Sequence, residues 1–393
     1  MGRAAMIVAV AATGAGAAPR ESREVFTPVA TYWVSAQTTT GLMAGIMGAN
    51  GRPSMGSIAG MMMRGGPRAD AVNHGLRLQL GSMLRPSGEP RAEHDPPAGL
   101  GLGASLPLVT PRPTAQPVAP VDETPSREPP REYQRPKGRM LIYWGCGEHA
   151  GPGQPFVIDF AKVTAGQQSF AGLMSGLAVA AMQPPSPSRA ATYGEWPNDK
   201  TRGGVSAQAS LVGDHLVKGD YTPDINFQLG PAQDFMAPLH VVNSPMPSGA
   251  AQLSWLPIRT ATGYVAFMVG AGGHGGGDGA DIVMWTSSNT QAPAFGFSDY
   301  LAPGEVRRLV AAGRFLGPQT SQCVVPQEVT QGAPAGLLTM TAYGEEANFR
   351  SPAGAPTPWA VKVRYRSSTS VLLGMGGGQD RPRRPFGLGG LIP

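Results

Sequence analysis

Two stretches of the chain alternate apolar and polar residues with a period of two. Leu76, Leu78 and Leu80 alternate with Arg77 and Gln79, which predicts a half-buried strand. Trp359, Val361, Val363 and Tyr365 alternate with Lys362, Arg364 and Arg366, which predicts a strand with one apolar and one cationic face. Short apolar runs bounded by Gly and Pro predict further strands at Val29–Ser35, Met140–Trp144, Phe156–Phe160, Ser206–Val212, His215–Tyr221 and Ile225–Leu229. The same pattern recurs around Leu253 and Trp255, and at Tyr264–Val269, Ile282–Thr286, Cys323–Val325 and Leu337–Ala342. The first strand, Val29–Ser35, is expected to pair with the Leu76–Leu80 strand across a long Gly/Met-rich loop. Helical spacing occurs in two places. Phe170–Met182 places Leu173 and Leu177 on one face and stops at Pro184 and Pro185. Glu305–Phe315 places Val306, Leu309 and Val310 together against Arg307, Arg308 and Arg314. The predicted class is mainly β: β-sandwich units with one or two short helices.

Composition divides this picture along the chain. Gly 55 and Pro 40 make up nearly a quarter of 393 residues, about twice average usage. That excludes a long coiled coil or a helical bundle. The breakers concentrate in low-complexity segments, giving a small β region over 18–84, a Pro-rich linker over 85–138, β-rich units over 139–230 and 231–373, and a Gly/Arg tail over 374–393. The charge balance is +4 over 1–138, −1 over 139–373 and +2 over 374–393. A near-neutral folded region argues against a nucleic-acid partner, whose binder concentrates cations on a folded face.

The first residues read as an export signal. Arg3 precedes the apolar run Ala4–Ala12, and Ala15-Gly16-Ala17 supplies small residues for cleavage before Ala18. No later run is long and apolar enough to predict a transmembrane helix. Periplasm, cell surface or secretion is the expected location, and the absence of an Asn-x-Ser/Thr sequon favours a bacterial source. Export gives the two cysteines, Cys146 and Cys323, an oxidising compartment, and the expectation is that they pair. The bridge would close a 177-residue loop, worth about 5 kcal/mol in the chain-entropy model.

The run Leu253-Ser254-Trp255, then Pro257, then Ala261-Thr262-Gly263-Tyr264, resembles the B-to-C strand region of fibronectin type III and related immunoglobulin-like domains. The resemblance implies that Trp255 and Tyr264 sit in an inter-sheet core. It carries over no catalytic residues.

Four groups of residues could carry chemistry. Cys146, Glu148 and His149 could form a thiolate–imidazole pair, although Gly145 and Gly147 favour a turn. His274, Asp278 and Asp281 flank a Gly-rich loop of the kind that approaches an anion or a divalent ion. The methionines from Met55 to Met63 are soft ligands that could hold Cu(I). Lys362, Arg364 and Arg366 form a basic strip suited to anionic envelope glycan or lipid. Of these, the strip is the expected binding contact, with neither a metal site nor a cofactor. The leading expectation is an exported cell-envelope or extracellular structural or interaction protein without catalytic activity. Its partner would be the envelope material, another envelope protein or a second copy of the chain. A carbohydrate-active or other hydrolytic enzyme and a periplasmic copper-binding protein are the alternatives.

Overall fold

The computed structural model describes residues 26–46, 71–111, 138–160, 162, 182–201, 204–273, 280–291 and 301–374. Among them the chain is mainly β. The strands are β1 (Ala30–Thr40), β2 (Val72–Ser82), β3 (Ala92–Asp95), β4 (Leu106–Leu108), β5 (Arg139–Trp144), β6 (Phe156–Asp159), β7 (Thr192–Trp196) and β8 (Gly213–Gly219). They continue with β9 (Ile225–Leu229), β10 (Val241–Pro245), β11 (Ala251–Trp255), β12 (Ala261–Gly273), β13 (Ala280–Thr286), β14 (Gln322–Val325), β15 (Ala335–Arg350) and β16 (Trp359–Leu373). Short helices are α1 (Gly41–Ile46), α2 (Pro303–Ala311) and α3 (Gln327–Gly332). No helix among the described residues is long and apolar enough to cross a membrane.

A nine-stranded sheet runs β6-β5-β13-β12-β15-β16-β1-β2-β7. Two smaller sheets, β10-β11-β14 and β4-β3-β8-β9, contribute with it to one hydrophobic core. The expected pairing of β1 with β2 is present and antiparallel, with Val34 opposite Leu78. On its other side β1 pairs with β16 in parallel, which brings Val34 beside Val363. The second parallel pair joins β13 to β5. Strands from the 18–84, 139–230 and 231–373 segments therefore share one sheet. Within the segment assigned to a linker, residues 92–95 and 106–108 form β3 and β4. Ala92, His94, Leu106 and Leu108 point into the core and supply the burial that composition alone concealed.

Strands β1 and β16 run well past their apolar halves, into Gln-Thr-Thr-Thr and Ser-Ser-Thr-Ser. Hydroxyls inside a core must be hydrogen-bonded to be tolerated. Here they clasp the segment 236–239. Thr38 Oγ1 donates to the Met236 carbonyl at 2.7 Å, Thr40 Oγ1 donates to the Leu239 carbonyl, and the Leu239 N–H donates to Ser367 Oγ at 3.0 Å. The predicted strand Ser206–Val212 is instead a turn and loop. Asp234 explains the difference: its carboxylate accepts from the Leu211 N–H at 2.8 Å and from Ser210 Oγ at 2.6 Å, so that backbone donor is satisfied outside a ladder.

The far face of the large sheet is covered in part by α2. Pro303 opens it, Glu305 sits in its first turn and holds Arg308, and Val306 and Leu309 are buried with Val265, Phe315 and Tyr343. The expected helix Phe170–Met182 lies outside the described residues except for Met182. The export signal, the methionines Met55 to Met63, residues 112–137, His274 and Asp278, and the tail beyond Gly374 also lie outside them.

Candidate functional site

The basic strip falls on the predicted face but not at an exposed edge. β16 lies between β15 and β1, so both of its backbone edges are paired and its charges protect no edge. Lys362 is ion-paired with Glu346, whose side chain is only 9% exposed, and its ammonium lies 5.8 Å from the Trp33 ring centroid. Arg364 Nε donates to Ser35 Oγ at 3.0 Å, and Arg366 donates to Gln37 Oε1 at 2.5 Å. Burial lowers the Arg366 pKa to about 10. The strip is half-buried and engaged with its own sheet. Between Tyr343 opposite Arg366 and Glu346 opposite Arg364, β15 carries one extra residue.

Cys146 and Cys323 are paired, with Cα atoms 5.2 Å apart. The bridge joins the turn after β5 to β14, and so ties the nine-stranded sheet to the three-stranded one. The Gly147 N–H donates to the Val324 carbonyl at 2.9 Å beside it. A bonded sulfur is no thiolate, which removes the nucleophile from the Cys146, Glu148 and His149 group. His149 is exposed, with its Nδ1 3.0 Å from the Gln327 amide nitrogen and 3.3 Å from Glu328 Oε1. Asp281 is buried and taken up by Arg139, which contacts it through its backbone N–H and through Nε, both at 3.2 Å, and NH2 at 2.7 Å. The parallel register of β13 and β5 sets Asp281 beside Arg139, so this carboxylate neutralises a neighbour and is not free for a metal.

A concave feature among the described residues lies elsewhere. A cleft of about 1230 Å³ opens where β3, β4 and β8 end and β7 turns into the loop 197–200. Val109 and Glu195 exchange backbone hydrogen bonds of 3.1 and 3.0 Å, which fix the four-stranded sheet against β7 at the cleft wall. Glu89, Glu93, Glu195, Asp199, Asp220 and Asp224 line it, against three cations, Arg91, Lys200 and Lys218. Several of these charges are held in place. Glu93 accepts from Ser105 Oγ at 2.7 Å and pairs with Lys218 at 3.2 Å, while Lys218 also pairs with Asp95 at 2.6 Å. Glu195 accepts from Tyr193 at 2.7 Å and from Arg77 at 3.0 Å. Asp220 accepts from the Arg91 N–H at 3.0 Å. Asn198 donates to the Pro107 and Glu195 carbonyls, both at 2.8 Å, and so joins the two walls. Glu89, Asp199 and Asp224 are exposed.

None of the cleft residues was singled out by sequence, because they come from segments about a hundred residues apart. Behind the cleft, in the core, stand three more groups that sequence reading passed over: Tyr32, His94 and His215. Each polar ring sits in the apolar phase of its strand, alongside Val34, Ala92 and Val217. That misplaced polarity was the available signal. Searches against protein-family models, curated proteins and solved structures find no match to this chain.

Proposed function

We propose that this is a non-catalytic interaction protein of the cell envelope or extracellular space, and that it contacts its partner through the β3–β4–β8 cleft. The supporting observation is the cleft itself: a wide concavity whose charged walls are fixed by strand ends and by bonds among its own side chains. Fixed polar groups select a ligand without the entropy of ordering them. Among the described residues, six carboxylates against three cations favour a partner with neutral or cationic polar groups over an anionic one. The Cys146–Cys323 bridge supports an oxidising location. The architecture reads as a sandwich variant. Trp255 of β11 meets Tyr264 of β12 across two sheets at 5.8 Å between ring centroids, which supports that reading. The parallel pairs β1–β16 and β5–β13 depart from that family's antiparallel sheets.

The cleft reading is tested with isolated envelope material. Glu93→Gln combined with Asp220→Asn keeps both hydrogen-bond acceptors and removes two charges. Retention of this variant at low salt is expected to fall about tenfold, the ~1.4 kcal/mol of two half-exposed charge contacts. Equal retention of variant and parent would remove the cleft from the contact.

A hydrolytic reading draws on the same carboxylates of the cleft. Turnover of aryl glycosides that is lost in Glu93→Gln would favour it over simple binding.

A further inference from the structure

Three side chains form a closed hydrogen-bond chain in the core between the nine-stranded and four-stranded sheets. Tyr32 Oη lies 2.8 Å from His94 Nδ1, His94 Nε2 lies 2.9 Å from His215 Nδ1, and His215 Nε2 lies 2.8 Å from the Leu211 carbonyl oxygen. The carbonyl fixes every proton in this chain. It can only accept, so His215 Nε2 carries a hydrogen and His215 Nδ1, in the neutral ring, accepts. His94 must then donate from Nε2 and accept at Nδ1 from the Tyr32 hydroxyl. One proton occupies each link and no link has room for a second. His94 is fully buried and His215 nearly so. Phe227 closes the site, stacked on His215 at 4.7 Å and tilted against Tyr32 at 6.3 Å.

The geometry points to an acid-sensitive latch: the Tyr32–His94–His215 chain holds the four-stranded sheet to β1 while both imidazoles are neutral, and releases it when they are protonated. A proton added to His94 Nδ1 would turn the Tyr32 hydroxyl into the acceptor and leave its hydrogen without the His94 partner. One added to His215 Nδ1 would face the His94 N–H. Either places a cation in the core, away from water. The consequence reaches the cleft, because Glu93 precedes His94 on β3 and Lys218 lies three residues beyond His215 on β8. This regulatory role rests on the cleft being the contact site; the latch itself does not.

The surroundings agree with a neutral chain. Burial, and secondarily His215, hold His94 well below its ordinary 6.5. Burial also lowers His215, opposed by its bond to the Leu211 carbonyl and by Asp214 on its own strand. Burial, and then Tyr221, push the Tyr32 phenol well above 10, so it remains a donor. The remaining neighbours that bear on the chain are Asp234, which holds the Leu211 N–H, and Phe349, which packs on Phe227. A base whose folded pKa is depressed stabilises the closed state fully above its ordinary value. That contribution drains away as pH falls below 6.5 toward the lower folded value.

Hydrogen exchange of the full chain without ligand tests this. Between pH 7.5 and pH 5.0, after correction for intrinsic rates, the opening equilibrium of β3 and β8 amides is expected to rise at least about 30-fold. That is the factor for one histidine that is neutral when closed and titrates normally when open. Amides of β15 and β16 serve as the reference and should hold. Unchanged protection in β3 and β8, or an equal loss in β15 and β16, would overturn the latch. His94→Gln, which can donate and accept but does not titrate, should keep only the part of the pH response that His215 carries; retention of the full response in that variant would also overturn it. If the variant does not fold, the parent's exchange decides alone. Envelope retention at pH 7.5 reports on the cleft independently, so failure of one reading is distinguishable from failure of the other.

Discussion

Replacing Cys146 and Cys323 together by Ser is expected to lower the stability of the folded chain by about 2–5 kcal/mol, with chain entropy alone setting about 5 for so long a loop. The bridge spans 177 residues and is the covalent tie between β14 and the turn after β5. Its loss frees the three-stranded sheet at that point and leaves two small hydroxyls, one of them at the buried position of Cys323. Urea unfolding of the oxidised parent, the reduced parent and the double variant measures the effect. Reduced parent and double variant should agree closely, since both lack the cross-link. A double variant as stable as the oxidised parent would show that the bridge contributes no constraint.

Trp285→Ala is expected to cost about 3–5 kcal/mol, the range for removing a large aromatic from a packed interior. Trp285 has no exposed surface, and β5 and β12 flank its strand. Its Nε1–H donates to the Gly145 carbonyl at 2.8 Å, so the substitution also removes that acceptor's partner. Gly145 adjoins Cys146, and the turn that carries the disulfide is therefore held by this bond. The effects of Trp285→Ala and of the cysteine replacement should not add, because both act on that one turn. A double-mutant cycle on the unfolding midpoints checks this, and strict additivity would separate the two.

The strands most legible from sequence were those with one apolar face and one polar face. In β2 and in the first half of β16, side chains at i and i+2 share an environment, and the alternation writes that directly into the residues. The faces of Lys362, Arg364 and Arg366 were read correctly for the same reason. Their central place was not legible, because strand order depends on pairings 329 residues apart in sequence, such as Val34 with Val363. The second half of β16 was missed since most of its buried residues are Ser and Thr, of which Ser367 is matched to the Leu239 N–H. β3 was missed because it has four residues, and its buried positions are Ala and a hydrogen-bonded His. The cleft was invisible for a related reason: Glu93, Glu195 and Asp220 read singly as surface charges. Only the β3–β8 pairing and the contact between Val109 and Glu195 gather them.

The central claim, that the cleft meets the partner, is tested most directly by carboxyl footprinting of the unaltered protein. Free and envelope-bound chains are labelled with a carbodiimide and an amine, and the extent of modification is read at each Asp and Glu. Glu89, Asp199 and Asp224 are exposed on the cleft and should lose reactivity on binding, while Glu345, exposed beside Arg307 of α2, should keep it. Unchanged labelling at all three cleft positions in the bound protein would contradict the account.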